Sequence, residues 1–189
     1  MNIRKISINE FKKRRFERSY ISVYIVIKPI SVENEQEIEV KNLCVIYGFT
    51  ALGVRRIIAI YFENTNDNRF WIGVFEDLKA RNLQNIMFLV TPQNKNIERC
   101  TKIIYNNIEI IRSPEDIMSA IDRYFATKTS RTLEIQLKNL ILAEDIEKCE
   151  ENIELFKQQY LHNRLVLEVF KRQEDDIKKL YKYNYDIRK

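Results

Sequence analysis

The sequence predicts an α/β fold: a mixed sheet that begins with three antiparallel strands, then alternating helices and strands, and finally an all-helical region. The first third of the chain contains three runs rich in β-branched and aromatic residues, which are typical of strands. An amphipathic stretch ending near Arg81 is followed at once by the apolar run Ile86–Val90. Beyond Ser130 the chain has no glycine or proline, which favours uninterrupted helices.

The three N-terminal runs are predicted to form strands in series. The first alternates between two faces and is predicted to end at Pro29. Residues 31–38 are polar and acidic, and they are predicted to form a turn. The loop between the second and third strands is predicted to be a hairpin in which Gly48 and Gly53 supply unusual φ angles. The predicted strands are Tyr20–Lys28, Val40–Phe49 and Val54–Phe62.

Helices and strands are predicted to alternate after residue 63. The side chains of Asn64–Asp67 are predicted to cap a helix that ends near Arg81. The strand Ile86–Val90 lacks polar alternation, which indicates that it is covered on both sides. The remaining predicted elements are a helix at Ile97–Tyr105, a strand at Ile108–Ile111, and a helix that starts at Ser113-Pro114-Glu115 and ends near Phe125. This succession is that of the ribonuclease-H-like fold.

The C-terminal third changes character and is predicted to be a helical hairpin or a three-helix subdomain. We expect three regions: a basic N-terminal arm at 1–18, a ribonuclease-H-like core at 19–127, and the helical subdomain at 128–189. Three apolar stripes at helical spacing support the helical region. They are Leu133, Leu137, Leu140 and Ile141; Ile146, Cys149, Ile153, Phe156 and Tyr160; and Val166, Val169, Phe170, Ile177, Leu180 and Tyr181.

Charge is concentrated at the N-terminus. The chain of 189 residues carries a formal net charge of +5, and the surplus within residues 1–18 equals that value. A basic arm beside a neutral body suits phosphate contact, although a solubilising terminus is the alternative interpretation. The three cysteines, odd in number and far apart, favour reduced thiols and a cytoplasmic location. We expect no membrane span and no secretion signal.

The stretch Asn64–Pro92 carries a family resemblance. An aromatic pair, Phe70-Trp71, opens its helix, the sequence Leu78-Lys79-Ala80-Arg81 follows, and an apolar strand ends just before Pro92. This pattern resembles the Mutator-type transposases of bacterial insertion sequences. The resemblance implies a ribonuclease-H-like DNA-cutting core with a helical insertion.

The resemblance also implies three catalytic carboxylates that hold two Mg²⁺ ions about 4 Å apart. The first maps to Ser22, or to Ile21 if the register moves by one residue, and the second maps to Pro92. The third lies in the family beyond the point at which this sequence ends, at Lys189. We therefore expect no catalytic residues, no metal site and no cofactor. Mg²⁺ would be needed only if an active enzyme used relocated ligands.

A second family feature is an arginine-cysteine pair with a histidine three residues after the cysteine. Arg112 matches the arginine, whereas Ser113 and Asp116 occupy the other two positions. The acidic residues that follow the third strand are expected to be solvated rather than to form a replacement metal site. His162 and Cys100 are expected to have no catalytic role, although Arg99 next to Cys100 is a feature that lowers thiol pKa values.

The sequence thus predicts an inactive remnant of a transposase core that retains nucleic-acid binding. A protein-interaction or dimerisation module, including a partner of an intact transposase, is the alternative, and an active nuclease with relocated ligands is a third. Tyr20 and Tyr24 offer aromatic rings for base stacking, but core packing explains them more simply. The predicted nucleic-acid-binding residues are Lys12, Lys13, Arg14, Arg15, Arg18, Lys178, Lys179 and Lys182.

Overall fold

A computed structural model describes residues 11, 13–33, 38–63, 67–122 and 127–182 of the chain. It confirms a mixed α/β protein with a five-stranded sheet in the order β3-β2-β1-β4-β5. β1 pairs with β2 in antiparallel orientation and with β4 in parallel orientation, so β1 is the central strand. The strands are β1 (Ser19–Glu33), β2 (Ile38–Phe49), β3 (Arg55–Glu63), β4 (Asn85–Thr91) and β5 (Glu109–Arg112).

β1 is longer than the sequence predicted. The predicted end at Pro29 is wrong, because β1 continues to Glu33 and Pro29 lies opposite Asn42 of β2. Residues 31–33 and 38 of the predicted turn belong to β1 and β2, and the rest of that turn lies outside the described residues. β4 pairs with β1 only as far as Tyr24, so the second half of β1 has one neighbouring strand among the described residues. Prolines within sheets are confined to such strands with one open side, which is consistent with Pro29 here.

Gly48 and Gly53 have different roles in the structure, although the sequence predicted the same role for both, namely an unusual φ angle in the hairpin. Gly53 lies in the β2–β3 turn with a φ of +71°, as predicted, and its N–H donates to the Thr50 carbonyl at 2.9 Å. Gly48 lies inside β2, opposite Val23. A Cβ atom at Gly48 would lie 2.7 Å from Tyr20 Cδ1 and 2.8 Å from the Ser22 carbonyl oxygen. The predicted φ freedom of Gly48 is therefore wrong, and close packing against β1 explains the glycine instead.

Helix α1 (Asn68–Ala80) forms because Asp67 caps it and its apolar residues share one face. The residues of this face are all buried in the hydrophobic core that α1 shares with the sheet: Trp71, Val74, Phe75 and Leu78. β4 follows directly, but it is not covered along its whole length as predicted. Met87 is 65% exposed, whereas its neighbours Ile86 and Phe88 are buried.

Two further helices follow β4. Helix α2 (Lys95–Ile104) begins at Asn94, whose side chain accepts hydrogen bonds from two backbone N–H groups. Helix α3 (Pro114–Asp122) begins after Ser113, whose hydroxyl accepts from the N–H of Asp116, as the sequence predicted. The predicted end of this helix near Phe125 lies outside the described residues.

The chain divides into two compact units, residues 1–110 and 111–189. The second unit contains α3, α4 (Thr127–Ile141), α5 (Ile146–Gln159) and α6 (Arg164–Leu180). Most members of the three predicted stripes are buried there, and the rings of Phe156 and Phe170 stack 4.3 Å apart. The region boundaries predicted after residues 18 and 127 stay predictions. Among the described helices none is both long enough and apolar enough to span a membrane.

The close approach at Gly48 gives a testable prediction. Gly48→Ala should lower the free energy of unfolding by about 2 kcal/mol, because the new methyl group meets the backbone of β1 and cannot be relieved by a rotamer change. Gly73→Ala is the matched control. Its Cβ meets nothing within 4 Å inside α1, so it should stabilise the protein by about 0.5–1 kcal/mol. Urea denaturation measures both, and equal midpoints for Gly48→Ala and the parent would refute the packing argument.

Candidate functional site

The predicted catalytic positions lie on two strands that are direct neighbours. β1 and β4 run parallel, with Ser22 opposite Phe88 and Tyr24 opposite Val90. Pro92 follows the end of β4 at Thr91. Ser22 lies on β1 and Pro92 directly follows the neighbouring β4, but Pro92 is four residues beyond Phe88, the partner of Ser22, which corresponds to about 13 Å along the strand. The structure brings the two strands together without bringing these two residues level with each other.

The register, continued past its paired residues, indicates a further position near Pro92. The offset between paired residues of β1 and β4 is constant from Tyr20 to Tyr24. Continued by two residues past the last paired positions, Tyr24 and Val90, the same offset would bring Val26 level with Pro92, which lies beyond the end of β4. Two carboxylates that share a metal pair must lie within a few Å of each other, so this offset makes Val26 a further candidate position on β1. The predicted assignment of Ser22 stays a prediction.

The groups at these positions do not suit a divalent cation. Ser22 is 4% exposed and carries a neutral hydroxyl, and Val26 and Pro92 have no ligating side-chain atom. The buried Thr91 hydroxyl donates to the Pro92 carbonyl at 3.3 Å. Mg²⁺ and Mn²⁺ require several hard oxygen ligands, usually including carboxylates. Nowhere in the described parts of the chain do three or more histidine, cysteine, aspartate or glutamate residues cluster in a way that fits a metal ion.

The acidic residues after β3 have structural contacts instead. Asp67 accepts a hydrogen bond from the Arg69 N–H at 2.9 Å and so caps α1. Asp77 forms an ion pair with Arg81 at 3.0 Å, and Glu76 is exposed. Burial, followed by the charge of Asp77, raises the pKa of Tyr61 to about 12. The side chain of Glu63 lies outside the described part of the structure. These contacts explain Asp67 and Asp77 without a metal site.

The aromatic residues on the same sheet pack against one another. Tyr24 and Tyr47 stack with ring centroids 4.9 Å apart, and the Arg55 guanidinium lies 4.3 Å from the Tyr47 centroid. Tyr20 is only 3% exposed. Because Tyr47 is flanked by a ring and a cation, and Tyr20 is buried, the packing interpretation of these residues is favoured over base stacking.

The predicted basic arm divides into exposed and engaged residues. Lys13, Arg15 and Arg18 are exposed, whereas Arg14 is half-buried and donates a hydrogen bond to the Ile57 carbonyl. Lys12 lies outside the described residues. The backbone carbonyl of Arg18 accepts hydrogen bonds from the N–H groups of Gln84, just before β4, and Asn85, the first residue of β4, at 2.9 and 3.0 Å. This part of the arm is therefore attached to the sheet, with three cationic side chains facing solvent.

The predicted C-terminal basic residues form ion pairs on the surface of the second unit. Lys178 contacts Glu174 at 3.1 Å and Glu150 at 3.7 Å, and Lys179 contacts Asp176 at 3.1 Å. Lys182 is exposed. The tyrosines and cations at 183–189 lie outside the described residues. Neighbouring carboxylates thus offset the charges of Lys178 and Lys179.

Neither His162 nor Cys100 acquires a partner that indicates catalysis. His162 is exposed between α5 and α6. Burial raises the pKa of the Cys100 thiol, and this outweighs the opposing effect of the Arg99 charge. A thiol that is protonated and buried is a poor nucleophile, so the structure favours a packing role for Cys100.

Arg112 has a structural role that its sequence motif did not indicate. Its guanidinium is 8% exposed and contacts Asp116 at 2.5 Å and Asp176 at 3.5 Å, and it also hydrogen-bonds the buried Gln173 side chain. Asp116, which occupies the position of the family's histidine, is thus a partner of Arg112. By contacting Asp116 on α3 and Asp176 on α6, Arg112 joins these two helices within the second unit.

Comparison with known proteins supports a single family. The model of the family described as "Transposase, Mutator family" matches residues 4–189. A transposase for insertion sequence element ISRM3 from Rhizobium meliloti (strain 1021) is 23% identical over 161 residues, which cover 82% of this chain and 38% of that protein. A probable transposase for an ISRM3-like element from Sinorhizobium fredii (strain NBRC 101917 / NGR234) is 22% identical over 161 residues, which again cover 82% of this chain and 38% of that protein. The chain thus spans less than two-fifths of the length of these relatives.

The ion-pair network around Glu174 predicts a pH dependence of stability. Burial alone raises the pKa of Glu174, but hydrogen bonds and charges from Lys178 and Lys157 outweigh it, so the net pKa is lowered. A carboxylate with a lowered pKa stabilises the fold above its ordinary value of 4.5, and this contribution is lost as pH falls through the folded-state pKa. Glu174→Gln should therefore be less stable than the parent at pH 7, and the difference should vanish in acid.

Thermal or urea unfolding between pH 7 and pH 3 measures that difference. Glu168→Gln, at an exposed position on the same helix, is the control and should differ little from the parent throughout. A difference between Glu174→Gln and the parent that stays constant across this range would contradict the network's assigned role.

Proposed function

The chain belongs to the Mutator family of transposases, and on that premise we propose that it is a transposase-derived protein with a vacant catalytic centre that binds nucleic acid. One observation carries the first part of the proposal. The β1–β4 offset, continued past its last paired positions, would align Val26 with Pro92, and neither residue, nor Ser22, has a side chain with an anionic oxygen.

The sheet also supports the proposed ribonuclease-H-like core. Three antiparallel strands at one side, with β1 and β4 parallel at the centre, agree with the succession of elements predicted for that fold. In such a core two metal ions would activate the attacking oxygen and stabilise the leaving oxygen. The residues at the corresponding positions here do not fit that role, so no catalytic step is assigned to them.

An active nuclease with relocated ligands is the competing proposal. Among the acidic residues weighed as replacement ligands, Asp67 is held in a helix cap and Asp77 in an ion pair. Recruiting either to a metal would break a contact that stabilises α1. This cost favours the inactive protein.

Exposed cations support nucleic-acid binding. Lys13, Arg15 and Arg18 are exposed on a segment whose backbone is fixed to the sheet. Fixed cations lose less freedom on contact with phosphates than cations on an untethered tail do. We therefore propose this segment, rather than the ion-paired Lys178 and Lys179, as the primary contact.

The cytoplasmic location stays part of the proposal, and the three free, buried cysteines are consistent with it.

Incubation with a labelled DNA duplex and Mg²⁺ or Mn²⁺ tests the vacant centre. We expect no cleavage or strand transfer above the level seen with EDTA, because no described carboxylate pair is placed to hold the metal. Metal-dependent cleavage that co-elutes with the protein through successive columns would overturn the proposal. Activity that separates from the protein on those columns would identify a contaminating nuclease.

The salt dependence of binding tests the proposed contact segment. The triple variant Lys13→Gln/Arg15→Gln/Arg18→Gln should bind duplex DNA more weakly. Its slope of log K against log salt should also be shallower by about 3, since each lost phosphate contact removes about 0.9. The control is Lys95→Gln/Arg99→Gln/Lys102→Gln, which removes equal charge from exposed positions on α2. Equal losses in both variants would show that the N-terminal segment is not the site.

A further inference from the structure

The tip of the β2–β3 hairpin holds an apolar side chain in solvent. Leu52 is 88% exposed, more than any other large apolar residue in the described part of the chain. Single exposed leucines are common on protein surfaces, so exposure alone does not indicate a function. Two further features distinguish this leucine: the turn that carries it is fixed by hydrogen bonds, and the strand that follows begins with two arginines.

Thr50 fixes the turn on both sides of Leu52. Its side chain is buried, and its Oγ1 accepts hydrogen bonds from the N–H groups of Leu52 and Val54, both at 3.3 Å. Its backbone N–H donates to the Val54 carbonyl at 3.1 Å, and its carbonyl accepts from the Gly53 N–H at 2.9 Å. A turn that is already ordered loses little conformational freedom on binding. Leu52 therefore has a fixed position before any partner binds.

The two arginines at the start of β3 flank this tip. Arg55 and Arg56 are both exposed, and they pair with Phe49 and Gly48 of β2. Because successive residues of a strand alternate in direction, the two arginine side chains point to opposite faces of the sheet. Residues 40–62 contain no acidic residue. The tip is therefore apolar at its end and cationic on both faces.

The tip lies beside the segment proposed to contact phosphates. Ala51, the neighbour of Leu52, lines the same surface cavity as Ser19 and Asn85. The Asn85 N–H donates to the carbonyl of Arg18, which is the last cation of that segment. All of these residues belong to the first compact unit. The exposed leucine and the exposed cations thus share one end of the sheet.

We propose that Leu52 is a wedge that inserts between two base pairs of duplex DNA, while Arg55 and Arg56 contact phosphates on either side of it. The phosphate backbones of a duplex run along both edges of a groove, which matches cations on both faces of an apolar tip. Inserted leucines unstack a base step and kink the duplex. The inference rests on the proposed function, since it requires nucleic-acid binding, and it specifies how the bound duplex is deformed.

Binding to a fully paired duplex and to one with a central mismatch tests the wedge. A mismatched step is already partly unstacked, so the unaltered chain should bind the mismatched duplex about tenfold more tightly than the paired one. Leu52→Ala should bind the two duplexes equally. Leu161→Ala, the same change at a leucine that is 66% exposed in the second unit, is the matched control and should keep the full preference. Leu52→Met retains an apolar side chain and should keep most of it.

Two further measurements separate the wedge from the phosphate contacts. The fluorescence of 2-aminopurine placed next to the mismatch should rise when the unaltered chain binds, because the base loses its stacking partner, and should stay low with Leu52→Ala. Arg55→Gln/Arg56→Gln should weaken binding to both duplexes by the same factor. Its slope of log K against log salt should be shallower by about 2, since each lost phosphate contact removes about 0.9.

Equal affinity of the unaltered chain for the two duplexes, or a preference that Leu52→Ala retains, would overturn the wedge and leave the proposed nucleic-acid binding intact. Binding to neither duplex would overturn both proposals. Self-association that Leu52→Ala abolishes, with the DNA preference unchanged, would overturn the wedge and assign the tip to a protein contact. Circular dichroism establishes that each variant is folded. Should Leu52→Ala not fold, Leu52→Gln decides the matter, because it keeps a side chain of similar length without the apolar end.

Discussion

The parallel pairing of β1 with β4 is the constraint on which this account of the protein depends. It makes β1 the central strand and fixes which residues of the two strands are level. A two-metal centre built across such a pair needs carboxylates at matching heights. The register, continued past the paired residues, is the basis on which Val26 joins Ser22 and Pro92 as a candidate position. Under the proposed function, the family's chemistry is missing at these positions although the two strands are present.

Two arginines show how the rest of each unit is held in place. Arg81 joins the end of α1 to the N-terminal segment and to β3, and Arg112 joins α3 to α6. Each guanidinium is largely buried and has several acceptors, which is the condition under which a buried charge is tolerated. Arg81 belongs to the sequence pattern that resembles the transposases, and in this structure its contacts serve the fold.

Much of the fold could be predicted because the signals were local. The cap at Asp67, the buried face of α1 and the start of α3 at Ser113 each depend on neighbouring residues. The predictions were wrong where contacts between residues far apart in the sequence determine the local structure. Pro29 is tolerated because β4 stops short of it, and Gly48 is required by the proximity of Tyr20. Val26 could not be identified for the same reason, since the offset between β1 and β4 depends on a pairing between residues far apart in the chain.

Manganese binding to three proteins tests the vacant centre and its register most directly. Titrations monitored by electron paramagnetic resonance would compare the unaltered chain, Val26→Asp/Pro92→Asp and Ser22→Asp/Pro92→Asp. The register predicts that the Val26 pair binds Mn²⁺ at least tenfold more tightly than either of the others, because only its carboxylates are level. Tight binding by the unaltered chain, or a stronger site in the Ser22 pair, would contradict the account.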